Sequence, residues 1–193
     1  MKRVHPLRYE TVIYQRWVYA LTLIVAITAG CMYGIDMGEN DILLFTVNQY
    51  LTVNVQRTPV LEAFRTSLMT YGLSIIIVFV GGLSKMLLPL SILGVFYTVF
   101  SYSFTMTCFL LIYGLTGIWV SILMIGVQAA LLVSILIEVG YQGLRYSVYS
   151  QIKNIKFYYS VFVKALVVAI VISTFDAIFH PMLHNLVISI LQK

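Results

Sequence analysis

Long apolar runs separated by short polar stretches dominate the chain. Residues 17–35 carry no charge, and the first acid after them is Asp36. A helix needs about 20 mainly apolar residues to cross a hydrocarbon core roughly 30 Å thick. The run is too long for a signal peptide, and no small-residue cleavage site follows it. We therefore expect residues 17–35 to form a first membrane span, with Trp17 and Tyr19 as interfacial anchors.

Residues 36–65 mix charged and apolar side chains and form the one substantial segment predicted outside the membrane. Their periodicity fits both a helical stripe and a strand alternation, and helix is favoured. Thr58 followed by Pro59 predicts an N-cap with proline at the first helical position. Asp41 and Glu62 are the candidate partner-facing charges of this segment.

The next apolar stretch has Lys85 as its only charge as far as residue 137. We expect the second span to end near Gly82 and Lys85, and Pro89 either to start the third span or to kink it. The uncharged run 86–137 fits two long tilted spans or three short ones. The positive-inside rule favours two, because the basic segments 1–16 and 138–156 should both face the cytoplasm. The predicted spans are 17–35, 66–84, 86–106, 113–137 and a fifth from about Phe157 to Ile178.

The fifth run is followed by polar residues around a proline. Asp176, His180 and His184 are spaced four apart, which on a continuous helix would place them on one face, as a metal site or proton relay requires. Pro181 should interrupt the helix there. The plainer interpretation is therefore a helix break at the outer interface, with solvated polar residues.

Composition agrees with a membrane protein and excludes several classes. The chain is 61% apolar and 10% charged, with a net charge of +5 spread over several loops, so no nucleic-acid-binding face is predicted. Cys31 and Cys108 lie in apolar runs and indicate neither a disulfide nor a zinc site. Nucleophile, phosphate-loop and paired-carboxylate motifs are lacking, so we expect no enzyme activity and no cofactor.

We predict an all-α polytopic membrane protein, a bundle of about five transmembrane helices. Gln128 stands alone in a long apolar run, and an amide at that depth normally finds a partner on another helix, although contact with a ligand is the alternative. Small residues should let the helices of the bundle centre approach closely. They include Ser74, Gly81, Gly82, Ser84, Ser91, Gly94, Gly114, Gly117 and Gly126.

Three stretches resemble the stage II sporulation protein M family, small bacterial membrane proteins with five helices and an extracytoplasmic segment after the first. Thr116 and Val127 stand where the family has lysine and proline. The stretches are Gly82-Leu83-Ser84 with Pro89, Leu115-Thr116-Gly117 with the later Ile125-Gly126-Val127-Gln128, and Phe175-Asp176-Ala177-Ile178-Phe179-His180-Pro181.

The resemblance implies a non-catalytic role in endospore formation. Such a protein resides in the septal and engulfing parts of the bacterial cell membrane. There it helps to hold a peptidoglycan-degrading complex that contains stage II sporulation proteins D and P. The alternative function is that of a membrane subunit of a transporter for an uncharged or partner-energised substrate, since no ionisable residue occurs in the run 86–137.

The charge bias predicts which loops face which side. Single cysteines at Asn48 and Ser150, in a variant without Cys31 and Cys108, should react from opposite sides of the membrane with an impermeant thiol reagent. Labelling of both positions from the same side would exclude the five-span topology.

Overall fold

The computed structural model describes residues 7–39, 45, 59–148 and 154–191, with side chains for residues 17–38, 45, 59–148, 154–179 and 182. All elements in this part of the chain are helical. The α-helices are α1 (Leu7–Asp36), α2 (Val60–Gly82), α3 (Leu88–Tyr113), α4 (Thr116–Ser121), α5 (Val127–Val148) and α6 (Ile155–Leu191). Single turns at Met37–Glu39 and Lys85–Leu87 are 3₁₀-helical, and the turn Ile122–Gly126 between α4 and α5 is π-helical.

Five helical stretches of the described residues are long and apolar enough to cross a membrane, which confirms the predicted fold class. The uncharged run 86–137 contributes to two of them and not three. At about 1.5 Å per residue these two are longer than a hydrocarbon core of roughly 30 Å, so they tilt or project beyond it. The five stretches are Trp17–Asp36, Val60–Gly82, Lys85–Tyr113, Leu115–Val148 and Ile155–Phe179.

Several helix ends differ from the sequence-based expectation. The turn between the third and fourth spans lies at Gly114 rather than within residues 107–112, and its φ of 58° suits glycine, which has no Cβ to clash. The predicted loop 138–156 is helical as far as Val148. Helix α6 continues through Pro181 to Leu191, so the expected break there is wrong.

A helix begins within the predicted outer segment 36–65, as the Thr58-Pro59 pair predicts. Helix α2 begins at Val60 with Pro59 in the N-cap position, and Glu62 is in its first turn. Asp41 lies outside the described residues. At the amino end, α1 already begins at Leu7, within the predicted segment 1–16. Pro89 lies in the first turn of α3, where a missing backbone donor costs nothing, so it starts this helix and does not kink it.

Helix α2 is the central element and packs against α3, α5 and α6, while α1 lies along α3. Tyr71 of α2 contacts Gln128 of α5, and further along both helices Gly82 faces Gly143, so α2 and α5 are parallel. Tyr158 of α6 contacts the carboxyl-terminal half of α2, so α6 is antiparallel to both. This alternation is what five successive crossings require.

Two helices touch almost backbone to backbone where α2 meets α5. A Cβ on Gly82 would lie 2.6 Å from the Cα atom of Gly143 and 2.1 Å from the hydroxyl of Tyr158. Both distances are far below van der Waals contact, so only glycine fits at this position. Ser84 follows directly, and its Oγ accepts a hydrogen bond of 3.4 Å from the amide of Met86, which caps the 3₁₀ turn before α3.

Gly82→Ala should destabilise the bundle by about 1–3 kcal/mol, because the added methyl forces α2 away from α5. Gly72→Ala is the matched control on the same helix, since a Cβ at that position meets nothing within 4 Å. Thermal unfolding in detergent should show a lower midpoint for Gly82→Ala only. Equal midpoints for the two variants would contradict the backbone contact.

Candidate functional site

A polar cluster connects three helices in the interior of the bundle. It consists of Asp176 on α6, Gln128 on α5, and Ser67 and Tyr71 on α2, and we call it the Asp176 cluster. Ser67 and Tyr71 are four residues apart, so they lie on the same face of α2. Gln128 is the second residue of α5, two positions after the last residue of the π-helical turn.

Every other member of the cluster donates a hydrogen bond to the carboxylate of Asp176. The Nε2 of Gln128 donates to Oδ1 at 2.7 Å. On the second oxygen, Oδ2, the hydroxyl of Ser67 donates a short hydrogen bond and that of Tyr71 donates one of 3.3 Å. The Tyr71 hydroxyl also lies 3.4 Å from Gln128 Oε1, so its proton is shared between two acceptors.

Two members of the cluster are buried between the helices, and the other two, Ser67 and Asp176, are half-buried. Tyr71 is the middle residue of the 23-residue helix α2, and Tyr71 and Gln128 are only 7% and 8% exposed. The helix break expected beside Asp176 is wrong, because α6 continues through Pro181 to Leu191. Asp176 is half-buried and lies three residues before the end of the membrane-length stretch Ile155–Phe179, so its position near the outer interface stays a prediction.

The carboxylate of Asp176 is stabilised by these donors. Ionisable side chains within membrane helices are costly and normally face the bundle interior, where they find partners. Hydrogen bonds from Gln128, Tyr71 and Ser67 replace part of its lost hydration. Gln128 thus has the partner on another helix that its position in the sequence predicts.

The described members of the cluster are one carboxylate and three neutral donors. The described residues contain no group of three or more His, Cys, Asp or Glu side chains that could hold a metal ion. The side chains of His180 and His184 lie outside the described residues, so the proposed histidine partners of Asp176 are not placed. What the cluster does is fix α6 against α2 and α5.

A second polar layer, which sequence reasoning missed, lies toward the other end of the bundle. We call Tyr19, Ser91 and Tyr158 the tyrosine layer. The hydroxyl groups of Tyr19 and Ser91 are hydrogen-bonded at 3.2 Å, and Tyr158 Oη donates to the carbonyl of Phe79 at 2.9 Å.

Tyr19 is therefore not the interfacial anchor that its position beside Trp17 suggests. It is 1% exposed, whereas Trp17 is 58% exposed and keeps that character. A Cβ on Gly140 would lie 2.7 Å from the Tyr19 ring, so the glycine leaves room for the tyrosine. The sequence signal for this layer is that tyrosines and glycines occur in the apolar runs. That signal does not identify which tyrosine packs against which glycine.

The sequence-predicted residues do not form one site. Gly82, Ser84 and Pro89 lie near the tyrosine layer, away from Gln128 and Asp176. Gly117 lies at the start of α4, where a Cβ would be 2.1 Å from the carbonyl oxygen of Phe109, and it allows the tight turn between α3 and α4. Glu62 is exposed in the first turn of α2. Of the predicted residues whose side chains are described, Gln128 and Asp176 come together across two helices.

Comparison with known proteins identifies no relative of this chain. No family model matches the chain, and no curated protein or solved structure matches it. The resemblance to the stage II sporulation protein M family stays a prediction based on the quoted residues. The function is therefore inferred from the structure and from those residues.

Gln128→Leu should lower the free energy of unfolding by about 1–3 kcal/mol, because it removes one donor from a partly buried carboxylate. Gln142→Leu is the matched control, since this amide lies on the same helix and donates at 2.7 Å to the exposed carboxylate of Glu138. Unfolding in detergent, followed by circular dichroism, measures the difference. If Gln142→Leu lowers the free energy of unfolding as much as Gln128→Leu does, the Asp176 cluster does not stabilise the bundle more than an exposed hydrogen bond.

Proposed function

We propose that the protein is a non-catalytic membrane scaffold. The observation that carries this proposal is the use of buried polar side chains to connect helices. Tyr19 connects α1 to α3, Tyr158 connects α6 to α2, and the Asp176 cluster joins α2, α5 and α6. Such connections favour a rigid platform, since each must break before the helices can move apart.

The sequence resemblance supplies the cellular role that we propose for this platform. In that role the protein lies in the cell membrane of a bacterium that forms endospores, at the septum and the engulfing membrane. It localises a peptidoglycan-degrading complex containing stage II sporulation proteins D and P. The predicted outer segment 36–65 supports this role, because it is the longest connection between predicted spans and carries Asp41 and, in the first turn of α2, Glu62.

A second candidate function, as a transporter subunit, is favoured by one observation. The carboxylate of Asp176 lies inside the bundle, and ionisable groups at that depth often mark proton or substrate pathways. The scaffold remains the preferred proposal, because Gln128, Tyr71 and Ser67 hold this carboxylate from two neighbouring helices. The two functions differ in what a deletion strain loses.

Reversing the charges of the outer segment should weaken partner recruitment without reducing membrane insertion. Asp41→Lys together with Glu62→Lys should lower the recovery of stage II sporulation proteins D and P with the tagged protein from sporulating cells, because charges at the rim of an interface tune association. Lys156→Glu is the control at the other end of the bundle. Equal recovery of both proteins with the two variants would contradict this docking surface.

A deletion strain separates scaffold from transporter. The scaffold proposal expects septal wall thinning and engulfment to stall, with uptake of nutrients unchanged in vegetative cells. Loss of accumulation of a specific solute, with normal wall remodelling, would replace the scaffold by the transporter.

A further inference from the structure

A groove of about 290 Å³ opens between α5 and α6, on a part of the bundle that the Asp176 cluster does not reach. Its wall is mainly apolar, and its two charged residues are Glu138 from α5 and Lys164 from α6. Both are exposed, so the groove opens to the outside of the bundle. In a membrane-spanning protein this surface faces lipid or a partner.

The two charges lie at a similar depth. Counted at about 1.5 Å per residue, Glu138 lies roughly 15 Å before the end of α5 at Val148, and Lys164 roughly 14 Å after the start of α6 at Ile155. These helix ends are neighbours, because a short connection joins α5 to α6. A cation and an anion therefore flank the groove at one level.

Glu138 and Lys164 are not paired with each other. The carboxylate of Glu138 accepts a hydrogen bond of 2.7 Å from Gln142 on its own helix. Among the described residues Lys164 has no hydrogen-bond or ion-pair partner. Charges beside an apolar wall are poorly solvated and normally need partners of opposite charge. A ligand that carries one positive and one negative charge could therefore pair with Glu138 and Lys164 at the same time.

The apolar wall extends away from these charges toward the centre of the bundle. Ile135 of α5 precedes Glu138, and Val168 of α6 follows Lys164, so both lie deeper than the charges. Phe157 lines the opposite, shallower end. A ligand that fits this arrangement has a zwitterionic head at one level and a hydrocarbon tail pointing inward.

We propose that this groove binds one phospholipid with an ethanolamine headgroup. The ammonium of Lys164 contacts the lipid phosphate, the carboxylate of Glu138 contacts the lipid ammonium, and an acyl chain lies along Ile135 and Val168. Charge complementarity selects this lipid over phosphatidylglycerol, whose uncharged glycerol would leave Glu138 without a cation. The site is independent of the scaffold role proposed above.

Native mass spectrometry of the full chain in detergent, titrated with phosphatidylethanolamine, tests the site. One lipid should remain bound to the unmodified protein. Lys164→Gln should weaken retention roughly tenfold, the size expected for loss of a charge-assisted hydrogen bond. Lys156→Gln, an exposed lysine on the same helix outside the groove, should retain the lipid normally. Equal retention by the two variants would overturn the proposal.

Headgroup selectivity gives a second measurement. Glu138→Gln should weaken binding of phosphatidylethanolamine and leave binding of phosphatidylglycerol unchanged, whereas Glu62→Gln on α2 should affect neither lipid. Equal affinity of the unmodified protein for both lipids, with no effect of Glu138→Gln, would overturn the assignment of an ethanolamine headgroup.

Filling the groove tests its location without changing a charge. Ser160 is exposed and lines the groove, so Ser160→Trp should displace the lipid, while Val163→Trp, exposed on α6 outside the groove, should not. If Ser160→Trp leaves lipid retention unchanged and lowers recovery of a partner protein instead, the groove is a protein interface and the lipid proposal fails.

Discussion

A carboxylate inside an apolar helix bundle needs hydrogen-bond donors, and this requirement fixes the arrangement of three helices here. Asp176 receives hydrogen bonds from Gln128, Tyr71 and Ser67, which come from two other helices. Moving α6 away from α2 or α5 would leave a charge in a medium that solvates it poorly. Helix α2 is the centre of the bundle, since it supplies Ser67 and Tyr71 to the carboxylate and also packs on α3.

At the other end of the bundle the governing constraint is space. Gly82 and Gly143 let α2 and α5 meet with little between their backbones, and the ring of Tyr158 lies against both glycines. The Tyr158 hydroxyl then reaches the carbonyl of Phe79, so close packing and a hydrogen bond occur at the same place. Close approach without a hydrophobic driving force is how helices associate in lipid.

These two layers explain why a scaffold fits this molecule. The interior connects helices at two levels, and the proposed partner sites are the segment before α2 for proteins and the groove between α5 and α6 for lipid. Protein partners and lipid would then bind at opposite ends of the bundle. A rigid bundle would hold these two sites at a fixed distance and orientation.

The sequence by itself determined the class of the molecule and the number of its spans. Apolar runs of bilayer length, interrupted at Asp36 and Lys85, identify membrane helices because lipid cannot solvate charges or an unpaired backbone. The charge bias also distinguished two spans from three in the run 86–137. It did not locate the turn at Gly114, because glycine is common both in membrane helices and in the turns between them.

Only the tertiary structure decided which polar residues meet. Gln128 visibly needed a partner, but a sequence pattern does not say which helix faces it, and the π-helical turn before it changes the face it presents. Pro181 suggested a helix end beside Asp176, but α6 continues past it to Leu191. Proline lacks one backbone donor, but whether a helix stops there depends on the packing around it, which is a property of the folded bundle.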